Sequence, residues 1–193
     1  MRSFFIAIVL VVICSCARAP YFDLRHPIYM VADKSFLSGC EKDPAGHEAC
    51  RAVRVKKIYA GLSQWFDYFD EANRPQAVIL SSKKELPSNR ANNDVIYLKI
   101  EAGFCGNGNA ACYAYGASSS SFSSPEIVFE KSSEIAPRMM AHEFGHVLGR
   151  EDNDVPKGTA SVMSYKMQID VSPLDIQMMC RLHRECRMLK WKR

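Results

Sequence analysis

The sequence predicts a small α+β domain, α/β-like in element order, with a mixed twisted sheet, and three observations carry that prediction. Short apolar or alternating runs recur at 27–32, 77–80, 95–100 and 126–130, bounded by turn-forming residues, as strands do. The longer stretch 45–72 repeats its apolar residues at helical spacing instead. Two further helices, beginning at 133 or 137 and ending at 148, and running from 172 to about 184, come after the strands rather than alternating with them. At 193 residues the chain is long enough for one domain with a real core, and no second domain or internal repeat is needed.

Residues 1–15 carry one positive charge, Arg2, followed by the apolar stretch 4–13, which is too short to cross a bilayer and reads as a secretory signal. Ile13-Cys14-Ser15-Cys16 resembles a bacterial lipobox, in which Cys16 would become a lipidated first residue and a membrane tether. Ala17-Arg18-Ala19 offers an ordinary cleavage site, although Pro20 is a poor start, and the lipoprotein reading is favoured. Either route exports the protein, to the cell envelope or beyond it. Residues 16–24 then form a short arm, and 25–193 a single domain with no long segment ahead of the first strand to act as an inhibitory propeptide.

Within that domain Ile28-Tyr29-Met30-Val31 suits a buried strand. In 45–72, Val55, Ile58, Leu62, Phe66 and Phe69 form one apolar helical face that Asn73 and Pro75 bring to an end. Residues 77–80 read as a second buried strand, and Asn92-Asn93-Asp94 as the turn into 95–100. There Ile96, Leu98 and Ile100 alternate with Val95, Tyr97 and Lys99, which predicts one less buried face. The Gly-, Asn- and Ser-rich stretch 103–124 reads as a long loop with a short edge strand at 113–115. Its serines have no base placed beside them and are read as solvated loop rather than as nucleophiles. Ile127, Val128 and Phe129 give the next strand. For the last helix Ser172 supplies a cap, Pro173 the first helical position and Asp175 the partner of a capping box.

A net charge of +4 is mild, and no basic stripe is interleaved with exposed aromatics, which argues against nucleic acid. The basic end 187–193 is amphipathic but reads as a solvated tail. Of the eight cysteines, Cys14 and Cys16 fall at the signal, leaving Cys40, Cys50, Cys105, Cys112, Cys180 and Cys186. In an oxidising compartment these suggest three disulfides, among about 15 possible pairings. Cys105 with Cys112 across Gly106-Asn107-Gly108, and Cys40 with Cys50, are plausible local pairs. Cys180 with Cys186 is harder, because six positions of continuous helix separate them by about 9 Å along the axis. If they pair, the last helix must end or bend between them. None shows the CxxC spacing of a structural zinc site.

The chemistry lies in His142-Glu143-Phe144-Gly145-His146-Val147-Leu148-Gly149-Arg150-Glu151-Asp152. Residues four apart on a helix share a face, so the His142 and His146 imidazoles can grip one ion. Glu143 sits too close to the first histidine to coordinate comfortably but is placed to act as a base. A catalytic zinc takes three protein ligands and keeps one position open. Gly149 can adopt the positive φ that ends the helix and turns the chain back, bringing Asp152 in as the third ligand. Asp154 and Glu151 are rivals with poorer register. A lone HExxH arises often by accident, but with Gly149 and Asp152 the pattern falls to on the order of once in 10⁴ to 10⁵ chains of this length.

These residues match the metzincin zinc motif HExxHxxGxx(H/D), and Ser161-Val162-Met163-Ser164-Tyr165 looks like the Met-turn of that clan. The resemblance implies a metzincin-type catalytic domain, with an upper part of twisted sheet and two long helices, a zinc cleft, and a lower part with the Met-turn and a C-terminal helix. It implies that Met163 forms a floor beneath the metal. It also implies that Tyr165 resembles the tyrosine that astacins and serralysins place near zinc, which can ligate the resting metal and stabilise the oxyanion. Aspartate in place of the usual third histidine departs from most of the clan and is shared with fewer groups, among them the snapalysin-like peptidases.

The function expected is therefore that of a monomeric, exported zinc endopeptidase, in which Glu143 takes a proton from the attacking water and returns it to the leaving amine. By resemblance, an extended protein or peptide substrate would lie along the edge strand near 113–116, and residues 166–169 would wall the adjacent pocket. His26, His47 and His183, as lone histidines, are expected to be surface or capping residues. The rival reading is a non-catalytic zinc-containing surface lipoprotein acting as a binding or adhesion module, against which Glu143 counts. A gluzincin-like peptidase with a distant glutamate ligand is disfavoured by Gly149 and Asp152.

Overall fold

The computed structural model of the chain describes residues 22–89, 94–106, 108–115, 117–118, 121–122, 124–152, 154–156, 158–164, 170–183 and 186. The readings made for the signal at 1–15, for Cys16, for Tyr165 and 166–169, and for the basic end at 187–193 lie outside these residues.

The chain begins with β1 (Ile28–Ala32), a single turn α1 (Lys34–Leu37) and the long helix α2 (His47–Phe66). Strands β2 (Ala77–Leu80), β3 (Ile96–Ile100) and β4 (Ala111–Ala114) follow. The short strands β5 (Ala117–Ser118) and β6 (Ser121–Phe122) make a separate antiparallel pair, and β7 (Glu126–Phe129) returns to the main sheet. Helices α3 (Pro137–Val147) and α4 (Pro173–Leu182) complete the order. The main sheet runs β2-β1-β3-β7-β4, with all neighbours parallel except β4, which lies antiparallel on β7. The result is a mixed five-stranded sheet in an α+β domain.

Parallel neighbours need long crossovers, and α2 provides the one between β1 and β2. Alternation on the strands sends Ile28, Met30, Ile96, Leu98, Ile127 and Phe129 into one core with Ile58, Leu62 and Phe66 of α2 and Met140, Ala141 and Phe144 of α3. Each of these side chains other than Ala141, when fully buried, is worth about 1.5–3 kcal/mol of transfer free energy. The two helices approach closely at Gly61, where a methyl group would overlap the Pro137 carbonyl and the Met140 side chain. Phe66 meets Phe144 edge-to-face at 5.6 Å between ring centroids. This sheet-backed pair of helices is the platform that carries His142 and His146.

Several expectations are corrected. The helix expected over 45–72 spans only His47–Phe66: Gly46, at φ 89°, precedes it, and the chain leaves it in a turn that still buries Phe69. A short 3-10 turn, Glu71–Asn73, occupies the rest before Pro75. Residues 77–80 form a strand, but one only partly buried, because among the described residues β2 has no outer neighbour. The edge strand expected at 113–115 lies at Ala111–Ala114, set by pairing of Ala111 with Phe129 and Ala114 with Glu126. Described residues of the serine-rich loop also include β5 and β6. The final helix ends at Leu182, and its capping box is formed by Ser172 and Asp175 as expected.

Three disulfides join Cys40 to Cys50, Cys105 to Cys112 and Cys180 to Cys186. The last pair is possible because α4 stops at Leu182 and His183 is extended, which brings the two Cα atoms to 5.0 Å. Such bonds fit an oxidising compartment and so an exported protein. Among the described residues no helix is long and apolar enough to cross a membrane.

Candidate metal centre

Helix α3 starts at Pro137, which suits the first helical position, and buries Met140, Ala141, Phe144 and Val147 against the sheet and α2. With that face fixed, His142 and His146 project together on the next, their rings perpendicular with centroids 4.9 Å apart. The helix ends as the sequence implies. Gly149, at φ 79°, donates to the His146 carbonyl at 2.9 Å and Arg150 N–H to the Gly145 carbonyl at 2.9 Å, the paired bonds of a Schellman turn. That turn sends the chain back over the helix and delivers Asp152.

Asp152 Oδ1 stands 3.1 Å from His142 Nε2 and 3.6 Å from His146 Nε2. One donor atom from each of the three residues falls within 4.8 Å of the others, so the group could hold a metal ion. Both imidazoles are oriented for it. His142 Nδ1 bonds the Val162 carbonyl at 2.8 Å and His146 Nδ1 the Arg150 carbonyl at 2.9 Å. Because a carbonyl only accepts, each Nδ1 carries a proton, which leaves Nε2, turned toward Asp152, as the nitrogen that a neutral imidazole would offer to a metal. Burial holds the His142 imidazole below its ordinary range and hence neutral, the form a ligand needs.

Glu143 is 3% exposed, directly beside this group. Burial, with the nearby Asp152 carboxylate adding to it, pushes the Glu143 carboxyl up to about 8, while a hydrogen bond from the Tyr113 N–H of edge strand β4 pulls the other way. Glu143 Oε2 and Asp152 Oδ1 are both buried and accept no hydrogen bond of good geometry. A buried carboxylate beside a second, partly exposed one, each with a buried and unpartnered oxygen, is an arrangement that a cation standing between them would relieve. The residues present therefore fit a bound cation.

The rivals for the third position are accounted for. Asp154 is committed to Arg150, accepting from Nη2 at 2.6 Å, and Glu151 is exposed. His47 lies at the surface 3.5 Å from Glu48, His26 is 4.0 Å from Asp23, and His183 Nε2 lies 3.1 Å from the Leu148 carbonyl. Met163 is fully buried in the turn closed by Ser164 N–H on the Ser161 carbonyl, and it packs against α3 at Gly145, between the two histidines.

No protein-family model matches this chain, and no curated protein matches it.

Several contributors escaped the sequence reading. Tyr113 holds Glu143 through its backbone and lays its ring almost parallel to His146, 14° between planes and 6.4 Å between centroids. Burial drives its phenol above the ordinary range. Trp65 of α2 donates its indole N–H to the Ala141 carbonyl at 2.8 Å, fixing α3 one residue before His142. Gly145 had a visible signal: a glycine in a helix interior costs about 1 kcal/mol against alanine, so it asks for a packing reason. Here the reason is Met163 and Trp65, which a methyl group at Gly145 would meet. Tyr113 carries no such mark.

Proposed function

We propose that this chain is an exported zinc endopeptidase that hydrolyses extended protein substrates, with His142, His146 and Asp152 as zinc ligands and Glu143 as the general base. The observation that carries the reading is the buried Glu143 carboxylate, with one oxygen unpartnered, set beside three converging donor atoms. Two imidazoles and one carboxylate form a donor set suited to zinc, and three protein ligands leave a position for reactants.

When bound, zinc supplies Lewis acidity that polarises a peptide carbonyl and acidifies water. Glu143 accepts the proton of the attacking water and passes it to the departing amine. A hydrogen bond from the Tyr113 N–H keeps the carboxylate aimed for both transfers. Among the described residues the outer edge of β4, next to α3, has no strand partner, and the backbone groups there that Glu143 does not engage are available to a peptide laid along it as an added strand. A module that only bound zinc would gain nothing from a buried, unpaired glutamate.

The test is hydrolysis of an unstructured protein by the purified, zinc-loaded chain. Cleavage should vanish with a chelator and return with zinc. Glu143→Gln should bind zinc as tightly as the parent and lose about 10²- to 10⁴-fold in kcat/KM. Cleavage undiminished in that variant removes Glu143 from the mechanism. Zinc binding without any cleavage moves the chain to the binding-module reading.

A further inference from the structure

We propose that Asp175, which completes the capping box of α4 with Ser172, is a positioning residue for the metal centre that orients both histidines through a buried hydrogen-bond network. The inference rests on the reading that His142, His146 and Asp152 hold a divalent ion; it does not depend on peptidase activity.

Asp175 is 0% exposed and Arg150 2%, so a carboxylate and a guanidinium are both withdrawn from water. Burying such a pair is costly unless its geometry is well satisfied. Capping α4 does not require it, since a capping box works equally well at the surface. The network itself shows what else the pair reaches.

One arm leads to His142. Asp175 Oδ1 accepts from the Ser161 hydroxyl, which in turn accepts the Met163 N–H at 3.0 Å. That N–H belongs to the same peptide unit as the Val162 carbonyl, which receives His142 Nδ1–H at 2.8 Å. The peptide is thus clamped on both sides, in a continuous chain of donors and acceptors from Asp175 to the imidazole. Asp175 Oδ2 also accepts the Val162 N–H at 3.3 Å, bracing the preceding peptide. The other arm leads to His146. Arg150, whose carbonyl receives His146 Nδ1–H, is held by its side chain: Nη1 donates to the Asp175 carbonyl at 2.8 Å and lies 3.3 Å from Asp175 Oδ1. The same guanidinium engages Asp154 and keeps that carboxylate off the metal group. Groups that orient metal-binding histidines set affinity as well as direction.

Asp175→Asn keeps the shape but turns one acceptor oxygen into a donor facing donors. The test compares zinc affinity, by competition with a chromogenic chelator, and the visible absorption of the cobalt(II)-substituted full chain. Asp175→Asn should weaken zinc binding about 10- to 100-fold and alter the cobalt spectrum. Ser161→Ala, which cuts only the arm to His142, should show the same spectral change with a smaller loss, and it decides the matter if Asp175→Asn does not fold. Tyr68→Phe is the control: it removes a hydrogen bond to the Val171 carbonyl near the start of α4 without touching either arm. It should lower Tm and leave zinc affinity and spectrum as they are. Parental affinity and spectrum in the folded Asp175 and Ser161 variants, or losses equal to that of Tyr68→Phe, overturn the proposal. A parent chain that binds no zinc overturns the metal-site reading, and this proposal with it.

Discussion

Helix α3 and the return segment 149–164 each supply part of one site, and they hold it by different means. On α3, His142 and His146 are placed by backbone hydrogen bonds that any regular helix makes, and a buried apolar face fixes its rotation. The described residues of the return segment form no helix or strand, so Asp152 is placed by a glycine turn and by polar side chains, Arg150 on Asp154 and Ser161 on Asp175. Regular structure distributes the task over many equivalent bonds, and loss of one is tolerated. The return segment concentrates it in a few buried contacts, each of which is a separate point of failure.

The largest expected effect couples the two regions through charge. In protein stripped of metal, the Glu143 carboxyl titrates near 8 when folded against an ordinary 4.5, because it is buried and faces Asp152. The folded state therefore holds a proton that the unfolded state has released. Stability from this group is complete below the unfolded value and is lost as pH rises through the folded one. Tm of the stripped protein should fall between pH 5 and pH 8, by an amount corresponding to on the order of a few kcal/mol. Glu143→Gln should flatten that slope, Asp152→Asn should shorten it, and added zinc should abolish it. Equal slopes with and without Glu143 would place the titration elsewhere.

This division also explains what could be read from the sequence. The strands at 27–32, 95–100 and 126–130 and the helix carrying His142 and His146 follow from periodicity, which burial on one face enforces. Gly149 and the Ser172–Asp175 box were equally open to reading, because a left-handed turn and a capping box each demand particular residues at fixed offsets. Helix α2 was overextended because Phe69 keeps the apolar rhythm although the chain has already turned at Asp67. Tyr113 above His146, the Trp65 bond to Ala141 and the double use of Arg150 were invisible. Each joins residues far apart in the chain, and local spacing carries no information on which distant side chain will arrive.

Next in size come the two glycines that bracket the comparison. Gly145→Ala places a methyl group against Met163 and Trp65 in a filled core, and should cost about 1–3 kcal/mol. Gly149→Ala meets only Leu182 at an ordinary 3.5 Å, but at φ 79° it forces a left-handed alanine, worth about 1–2 kcal/mol. For a chain of this size each kcal/mol shifts Tm by about 2–4 °C. The two differ more sharply in zinc binding. The turn at Gly149 delivers Asp152, so its variant should lose zinc affinity out of proportion to its Tm, and Gly149→Asn, which tolerates φ > 0 better, should recover part of both. Chelator competition beside thermal melts separates the cases. Equal zinc losses for both alanines would mean that the turn has no special part in placing Asp152.

The smallest effect tests whether the two regions can be loosened independently. Tyr68, just past the end of α2, donates its hydroxyl to the Val171 carbonyl at 2.8 Å, and Gln64 Oε1 accepts the Val171 N–H at 3.3 Å, so the helical layer clasps the chain immediately ahead of α4. Tyr68→Phe deletes one neutral hydrogen bond at a part-buried position that water can reach, and should cost about 1 kcal/mol in thermal or urea unfolding. The remaining Gln64 bond and the Ser172–Asp175 box keep α4 in register, so the carbonyls behind His142 and His146 stay where they are. Zinc affinity should then be that of the parent. A drop in affinity from so small a lesion would show that the return segment is held by α2 as much as by its own buried charges, and the contrast between the two regions would have to be redrawn around the clasp at Val171.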